Sequence, residues 1–368
     1  MRVALRPACR TRRTMFRCDM YFPKGGLRPL MQNETISPAN GSGTPEKRFR
    51  LKPFLRGEYA VAPRAARLVL VIYALLLLSR LIDRAFLSRE GEYLSTVLLQ
   101  LLIFPIPAYL YIRLRGKQFV PALRLRRVSL SHILIILSAI LLLAAGCTLL
   151  AMVCGMLNAQ TSFTLYDTFS SANDGTAGAT VRLILTYGVL PAFCEELVFR
   201  GILCAEYEEN GILYAMAVSS LFFAFLHFDL TALPVYLFAG MLLSLVLYMT
   251  RSSVAAMLVH LGYNLFGVLA QAGLSGYCRS TGNLGLLVVL LIALLLLSAA
   301  VFCGESARVL RRRARLRLTD APDSQQTPGL SALSAREFLP ALGRAFFCPE
   351  AMLAVVLWAT GVVINLVR

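Results

Sequence analysis

Residues 191–201 read PAFCEELVFRG and place three ionisable groups in an otherwise apolar stretch. Glu196 and Arg200 are spaced i, i+4, which suits an ion pair within one helix. Glu195, next to Glu196, is then left as the carboxylate that can act on a water or a substrate. Charged groups at membrane depth are costly and usually face the bundle interior or a water-filled cavity. The stretch therefore indicates a functional site inside an apolar protein.

The chain contains only three histidines, and two of them lie in apolar segments. His227 is in SLFFAFLHFD, and His260 is in AAMLVHLGYN. The third, His132, opens an apolar run and is expected at the membrane interface. Asn264 follows His260 by four residues, so the two side chains share one helix face.

These residue types can hydrolyse an amide bond. A carboxylate and an imidazole can position and deprotonate a water molecule, because burial makes a glutamate more basic. A second imidazole and a carboxamide can donate hydrogen bonds to the oxyanion of the tetrahedral intermediate. Alternatively, Glu195, His227 and His260 can hold a divalent metal such as zinc, whose bound water is the nucleophile. These residue types are compatible with both a metal-dependent mechanism and one that uses no cofactor.

The elements that must position these groups are membrane helices. The chain has 368 residues, 57% of them hydrophobic and 15% charged, which is typical of a polytopic all-α transmembrane bundle. A turn near Glu209 to Gly211 makes the segments carrying Glu195 and His227 antiparallel, so that the two groups can meet. About eight or nine spans are predicted, at residues 67–88, 93–112, 132–157, 181–203, 212–228, 232–250, 254–273, 283–303 and 351–367.

The net charge of +17 is concentrated in segments that flank the predicted spans. Residues 1–67, 113–127 and 308–317 are rich in arginine and lysine, whereas 158–180 contain neither. Basic loops favour the cytoplasmic side, which predicts a cytoplasmic N-terminus. The basic segments lack interleaved aromatic residues, so a nucleic-acid partner is not expected.

Four regions follow from this pattern. Residues 1–66 are expected to be a basic, disordered extension, and 67–303 a transmembrane bundle with its catalytic core at 180–275. Residues 304–350 are expected to be a cytoplasmic basic segment and linker, and 351–368 a C-terminal transmembrane helix.

Three short motifs occur in order within residues 191–264: E-E-x-x-x-R, F-x-x-x-H and H-x-x-x-N. Together they resemble the motifs of the CPBP (Abi, CAAX-processing) intramembrane proteases, which include the Ras-converting CAAX endopeptidases and bacteriocin-immunity proteins. The resemblance covers residues 180–275 and implies a membrane peptidase, glutamate-dependent or metal-dependent, acting on a peptide or protein that reaches the bilayer. A bacterial cell membrane is the expected location.

The resemblance also implies a role for each motif residue. Glu195 with His227 would activate the water, and His260 with Asn264 would stabilise the oxyanion. The supporting residues of the site would be Glu196, Arg200 and Phe223.

Two other classes of function are compatible with the sequence. A non-catalytic membrane scaffold or immunity factor would use the same polar groups as helix-to-helix contacts. A transporter would use them as a proton relay, although the two halves of the chain show no duplicated pattern of broken helices.

Overall fold

The computed structural model describes residues 61–86, 92–157, 177–269, 284–315 and 333–367. Every regular element in these ranges is helical, which confirms the expected all-α membrane bundle. Most of the predicted N-terminal extension, most of the loop 158–180 and most of the linker between the last two spans lie outside the described residues.

The α-helices begin and end where apolar runs meet proline, glycine or charge. Prolines stand in the first turn of α3, α6, α9 and α13, where the missing N–H costs nothing. The α-helices are α1 (Val61–Phe86), α2 (Glu92–Ile103), α3 (Pro105–Arg115), α4 (Ile133–Leu157), α5 (Ala177–Leu183), α6 (Leu190–Glu196), α7 (Cys204–Tyr207), α8 (Ile212–Phe225), α9 (Leu233–Thr250), α10 (Ser253–Leu269), α11 (Leu284–Arg315), α12 (Ala335–Phe346) and α13 (Pro349–Leu366).

Within the described residues, five helical stretches are long and apolar enough to cross a membrane, and two apolar helices are shorter. The long ones are Val97–Arg115, Leu130–Gly155, Leu233–Thr250, Gly285–Arg315 and Pro349–Leu366, and the short ones are Ile212–Phe225 and Ser253–Gly267. The predicted first span carries Arg80, Asp83 and Arg84 within helix α1, and the predicted fourth span is interrupted in its hydrogen-bond register. The bundle therefore combines full-length spans with shorter helices.

Residues 177–207 follow one continuous helical path that changes register twice. Two π-helical segments, Ile184–Val189 and Leu197–Leu203, separate α5, α6 and α7. A π segment widens the helix and leaves backbone groups without their usual partners, and it is frequent at functional sites. Each segment contains one glycine, Gly188 and Gly201, but a glycine in an apolar run does not by itself predict a change of helical register.

The turn between α7 and α8 lies where the sequence placed it. Glu208–Asn210 form one 3₁₀ turn, and Gly211 follows with φ +100°, a conformation that glycine adopts without steric cost. Helix α8 then returns antiparallel to the 177–207 path. It ends at Phe225, earlier than the predicted span 212–228, so His227 lies in a turn and not in a helix.

Two of the basic segments meet at one end of the bundle. The Arg124 carbonyl accepts from the Ser253 amide at 3.0 Å, and the Arg124 guanidinium lies 5.5 Å from the Tyr248 ring. Arg313, at the end of α11, donates to the Met249 carbonyl at 2.6 Å. Arg124 and Arg313, one from each basic segment, thus contact the same helix ends, those of α9 and α10.

Two buried glutamates hold this basic end to the 177–207 helix. Arg115 contacts both carboxylate oxygens of Glu206, at 2.5 and 3.1 Å, and Arg124 contacts Glu208 at 2.7 Å. The side chain of Glu206 is 1% exposed. A bidentate arginine–carboxylate pair fixes relative position better than a single contact does.

Helix α12 was not expected within the predicted linker. It begins with a capping box in which the Glu337 carboxylate accepts from both the hydroxyl and the amide of Ser334. It packs on α8, where the Tyr214 hydroxyl donates to the Ala341 carbonyl at 3.1 Å and the Phe346 ring contacts Phe222.

Candidate active site

The three motifs lie on three different elements of the bundle. Glu195 and Glu196 end helix α6, and Arg200 lies in the second π segment. Phe223 is in α8, and His227 follows two residues after that helix. The third motif, His260 and Asn264, shares one face of α10.

Glu196 is the centre of a buried polar cluster. Its Oε1 accepts from Arg200 Nη1 at 2.7 Å and contacts His260 Nδ1 at 2.9 Å, while Arg200 Nη2 donates to the Gly240 carbonyl at 3.0 Å. The side chains of Glu196 and Arg200 are both 0% exposed. The cluster therefore ties the first motif to the third and to α9.

The cluster depends on close approach of α8 and α9. A Cβ atom on Gly240 would stand 3.0 Å from the Cα and Cβ of Ser220. The missing side chain lets the two helices pack closely and brings the Gly240 carbonyl within reach of Arg200. Gly240 was not identified from the sequence, in which it is one of 25 glycines.

Phe223 joins all three motifs through its ring. The Arg200 guanidinium lies 4.4 Å from the ring centroid, a cation–π distance. The rings of His227 and His260 meet that of Phe223 at 5.2 and 5.9 Å in edge-on geometry. The Phe223 ring therefore packs between the Arg200 guanidinium and the two imidazoles.

His227 is oriented by two contacts. Its Nδ1 lies 3.1 Å from the Phe223 carbonyl, and its ring stacks on Tyr236 with centroids 3.6 Å apart and planes 12° from parallel. A carbonyl oxygen only accepts, so Nδ1 carries the proton and Nε2 of the neutral ring is the acceptor. Sequence reasoning missed Tyr236, which belongs to none of the three motifs and lies in the first turn of α9.

Glu195 differs from Glu196 in its surroundings. Its side chain is half-buried, and its carboxylate has no hydrogen-bond partner within the described part of the chain. It interacts electrostatically with His260, Glu196 and Arg200. Among the described residues, no direct hydrogen bond joins it to His227, so the expected Glu195–His227 pair stays a prediction.

Asn264 contacts the first π segment. Its Nδ2 donates to the Gly188 carbonyl at 3.3 Å, within the segment Ile184–Val189. The contact places the carboxamide between α10 and the 177–207 helix, one turn from His260.

The side chains suggested as metal ligands do not converge as a ligand set. Among the residues that the structure describes, no three His, Cys, Asp or Glu side chains surround one point. This arrangement does not fit a metal at Glu195, His227 and His260.

Residues 177–266 match a protein-family model described as type II CAAX prenyl endopeptidase Rce1-like. The match spans the 177–207 helix, α8, α9 and most of α10, and it contains all three motifs. No curated protein and no solved structure matches the chain.

This region is therefore a domain of the CAAX-processing family of intramembrane proteases, and the resemblance noted from the motifs is confirmed. The matched domain indicates a peptidase, and the apolar helices support an integral membrane protein.

Proposed function

We propose that the protein is an intramembrane endopeptidase that hydrolyses a peptide bond with a water activated by Glu195 and His227. The observation that carries the proposal is the convergence of three separate motifs around the Phe223 ring. Their side chains come from α6, the second π segment, the α8–α9 turn and α10, and packing alone does not require such a set of polar groups there.

The difference between the two glutamates supports their assignment. Glu196 is fully buried and already accepts from Arg200 and His260, so it positions other groups. Glu195 is partly exposed, and its oxygens are available to a water. With Nε2 of His227 unprotonated, the water can lie between an acceptor nitrogen and an acceptor carboxylate, the arrangement needed to remove its proton.

His260 and Asn264 are proposed to bind the oxyanion. Nδ1 of His260 contacts Glu196, which leaves its Nε2 as the ring nitrogen that can face a substrate. Asn264 has two N–H groups, one of which is used on Gly188, and the second can donate to substrate. Removal of one such donor costs about 10²–10³-fold in rate.

The family description suggests the class of substrate, a prenylated peptide ending in a CAAX sequence. We propose this class as the first to test. Membership of this family is compatible with a metal-dependent and with a glutamate-dependent mechanism. The proposed steps use only side chains and water.

The test is cleavage of a farnesylated CAAX peptide by purified protein in liposomes. Glu195→Gln and His227→Ala are each expected to lower kcat by at least about 100-fold, the smaller end of what general acid–base groups supply. Glu209→Gln is the matched control, because Glu209 is an exposed carboxylate on the same helical path. The same peptide without its prenyl group shows whether the lipid is part of recognition.

Retention of more than half of the wild-type rate in either site variant refutes the proposed mechanism. A scaffold is the second candidate, favoured by the fully buried Glu196–Arg200 pair, which locks helices whether or not the site reacts. It predicts no cleavage by the wild-type protein and an unchanged cellular phenotype in Glu195→Gln.

A further inference from the structure

The turn that carries His227 ends a helix inside an apolar bundle. The last carbonyls of an α-helix lack partners in their own helix, and unsatisfied backbone groups are costly in a membrane. Here the Phe222 carbonyl accepts from the Leu226 amide within the helix and also from the Tyr73 hydroxyl, whereas the Phe223 carbonyl is contacted by Nδ1 of His227. The His227 imidazole thus caps the helix that precedes it.

Further along the turn, the carbonyls of His227 and Phe228 each accept from a side chain of a distant part of the chain. Arg80 Nη2 donates to the His227 carbonyl at 3.4 Å, and Asn365 Nδ2 donates to the Phe228 carbonyl at 2.8 Å. The two side chains also contact each other, Arg80 Nη1 to Asn365 Oδ1 at 3.3 Å. They come from α1 and α13, the first and last helices described.

The Phe228 ring is held by the same two helices. Phe228 is fully buried and has φ +53°, a backbone conformation that is uncommon for a residue with a bulky side chain. The Arg80 guanidinium lies 4.9 Å from its ring. A Cβ on Gly361 of α13 would stand 2.3 Å from Phe228 Cδ1, so α13 can approach only because that position is glycine.

We propose that Arg80 and Asn365 are positioning residues that fix the backbone of His227 and thereby aim its Nε2 at the reacting water. The inference rests on the proposed function of His227. It assigns part of the active site to α1 and α13, which lie outside the matched residues 177–266.

The contacts leave the imidazole little freedom once the backbone is fixed. Its ring is stacked on Tyr236, and its Nδ1 faces Phe223, so a shift of the His227 carbonyl must move the ring against one of these contacts. A displacement of about 1 Å in a reacting group can cost about 100-fold in rate. Losing either donor is therefore expected to affect turnover more than substrate binding.

The experiment compares Arg80→Gln and Asn365→Leu with Arg67→Gln in the full chain in liposomes. Arg67 is the matched control, because it joins the same two helices through Glu350 at 2.9 Å, far from the turn, with a side chain 67% exposed. We expect kcat to fall about tenfold to 100-fold in the two variants at the turn, with KM within about twofold of wild type. Arg80→Lys, which keeps a charged donor, is expected to recover part of the loss.

Hydrogen exchange supplies a readout that does not depend on activity. Amides of residues 226–232 are expected to exchange faster in Asn365→Leu and to be unchanged in Arg67→Gln. The proposal is overturned if His227→Ala is inactive while Arg80→Gln and Asn365→Leu keep wild-type kcat. It is also overturned if kcat falls equally in Arg67→Gln, which would indicate a general loss of helix packing. Full activity in His227→Ala instead refutes the proposed function itself.

Discussion

Replacement of Arg200 by methionine tests the buried ion pair most directly. Both side chains of the Glu196–Arg200 pair are 0% exposed, so Arg200→Met leaves a carboxylate inside the bundle with His260 as its remaining partner. Breaking a buried pair by removing one member typically costs about 3–5 kcal/mol. Removing both members lowers the free energy of unfolding much less, because no buried charge is left without a partner.

The predicted magnitudes follow from that asymmetry. Arg200→Met is expected to lower the free energy of unfolding by about 3–5 kcal/mol. The double variant Glu196→Gln with Arg200→Met is expected to recover part of this loss, with a coupling energy of about 1–3 kcal/mol. Arg67→Gln, which breaks an exposed pair, is expected to cost less than about 1 kcal/mol.

The assay is reversible unfolding in mixed detergent micelles, followed by circular dichroism. Wild type, Arg200→Met, Glu196→Gln, the double variant and Arg67→Gln are compared at the same lipid-to-detergent ratio, so that only the side chains differ. The reasoning is refuted if Arg200→Met lowers the free energy of unfolding by less than about 1 kcal/mol. It is also refuted if the double variant loses more unfolding free energy than the two single variants lose together.

Further predictions concern packing and helix ends. Gly361→Ala is expected to cost about 1–3 kcal/mol through overpacking against Phe228, measured by the same unfolding assay. Glu206→Gln, which loses a bidentate arginine contact, is expected to cost about 1–3 kcal/mol without changing kcat. Hydrogen bonds from Ser334 hold the pKa of Glu337 below its ordinary value, so the capping box stabilises α12 at neutral pH. That contribution is lost as the pH falls through the lowered pKa; Ser334→Ala is expected to remove this pH dependence of amide exchange in α12.

Sequence reasoning reached the class of fold and the family because both depend on local patterns. Apolar runs predict membrane helices whatever their partners, and the three motifs are each within five or six residues of chain. The turn at Glu208 to Gly211 was also predictable, since charge and glycine interrupt an apolar run there.

The remaining features depend on contacts between distant segments. The stacking of Tyr236 on His227 and the approach of Asn365 to Phe228 follow from tertiary packing, and neither residue stands in a recognisable pattern. A charged residue such as Arg80 at the edge of an apolar run usually marks a membrane surface. Within the bundle it contacts the Asn365 side chain and the His227 carbonyl instead.

The shortness of α8 sets how far a substrate must travel. His227 stands 15 residues after Ile212, about 22 Å along the helix axis from the end where the basic segments meet. An extended peptide covers at most about 3.5 Å per residue. If His227 acts as proposed, a peptide that reaches it from that end needs about six extended residues to cover this distance.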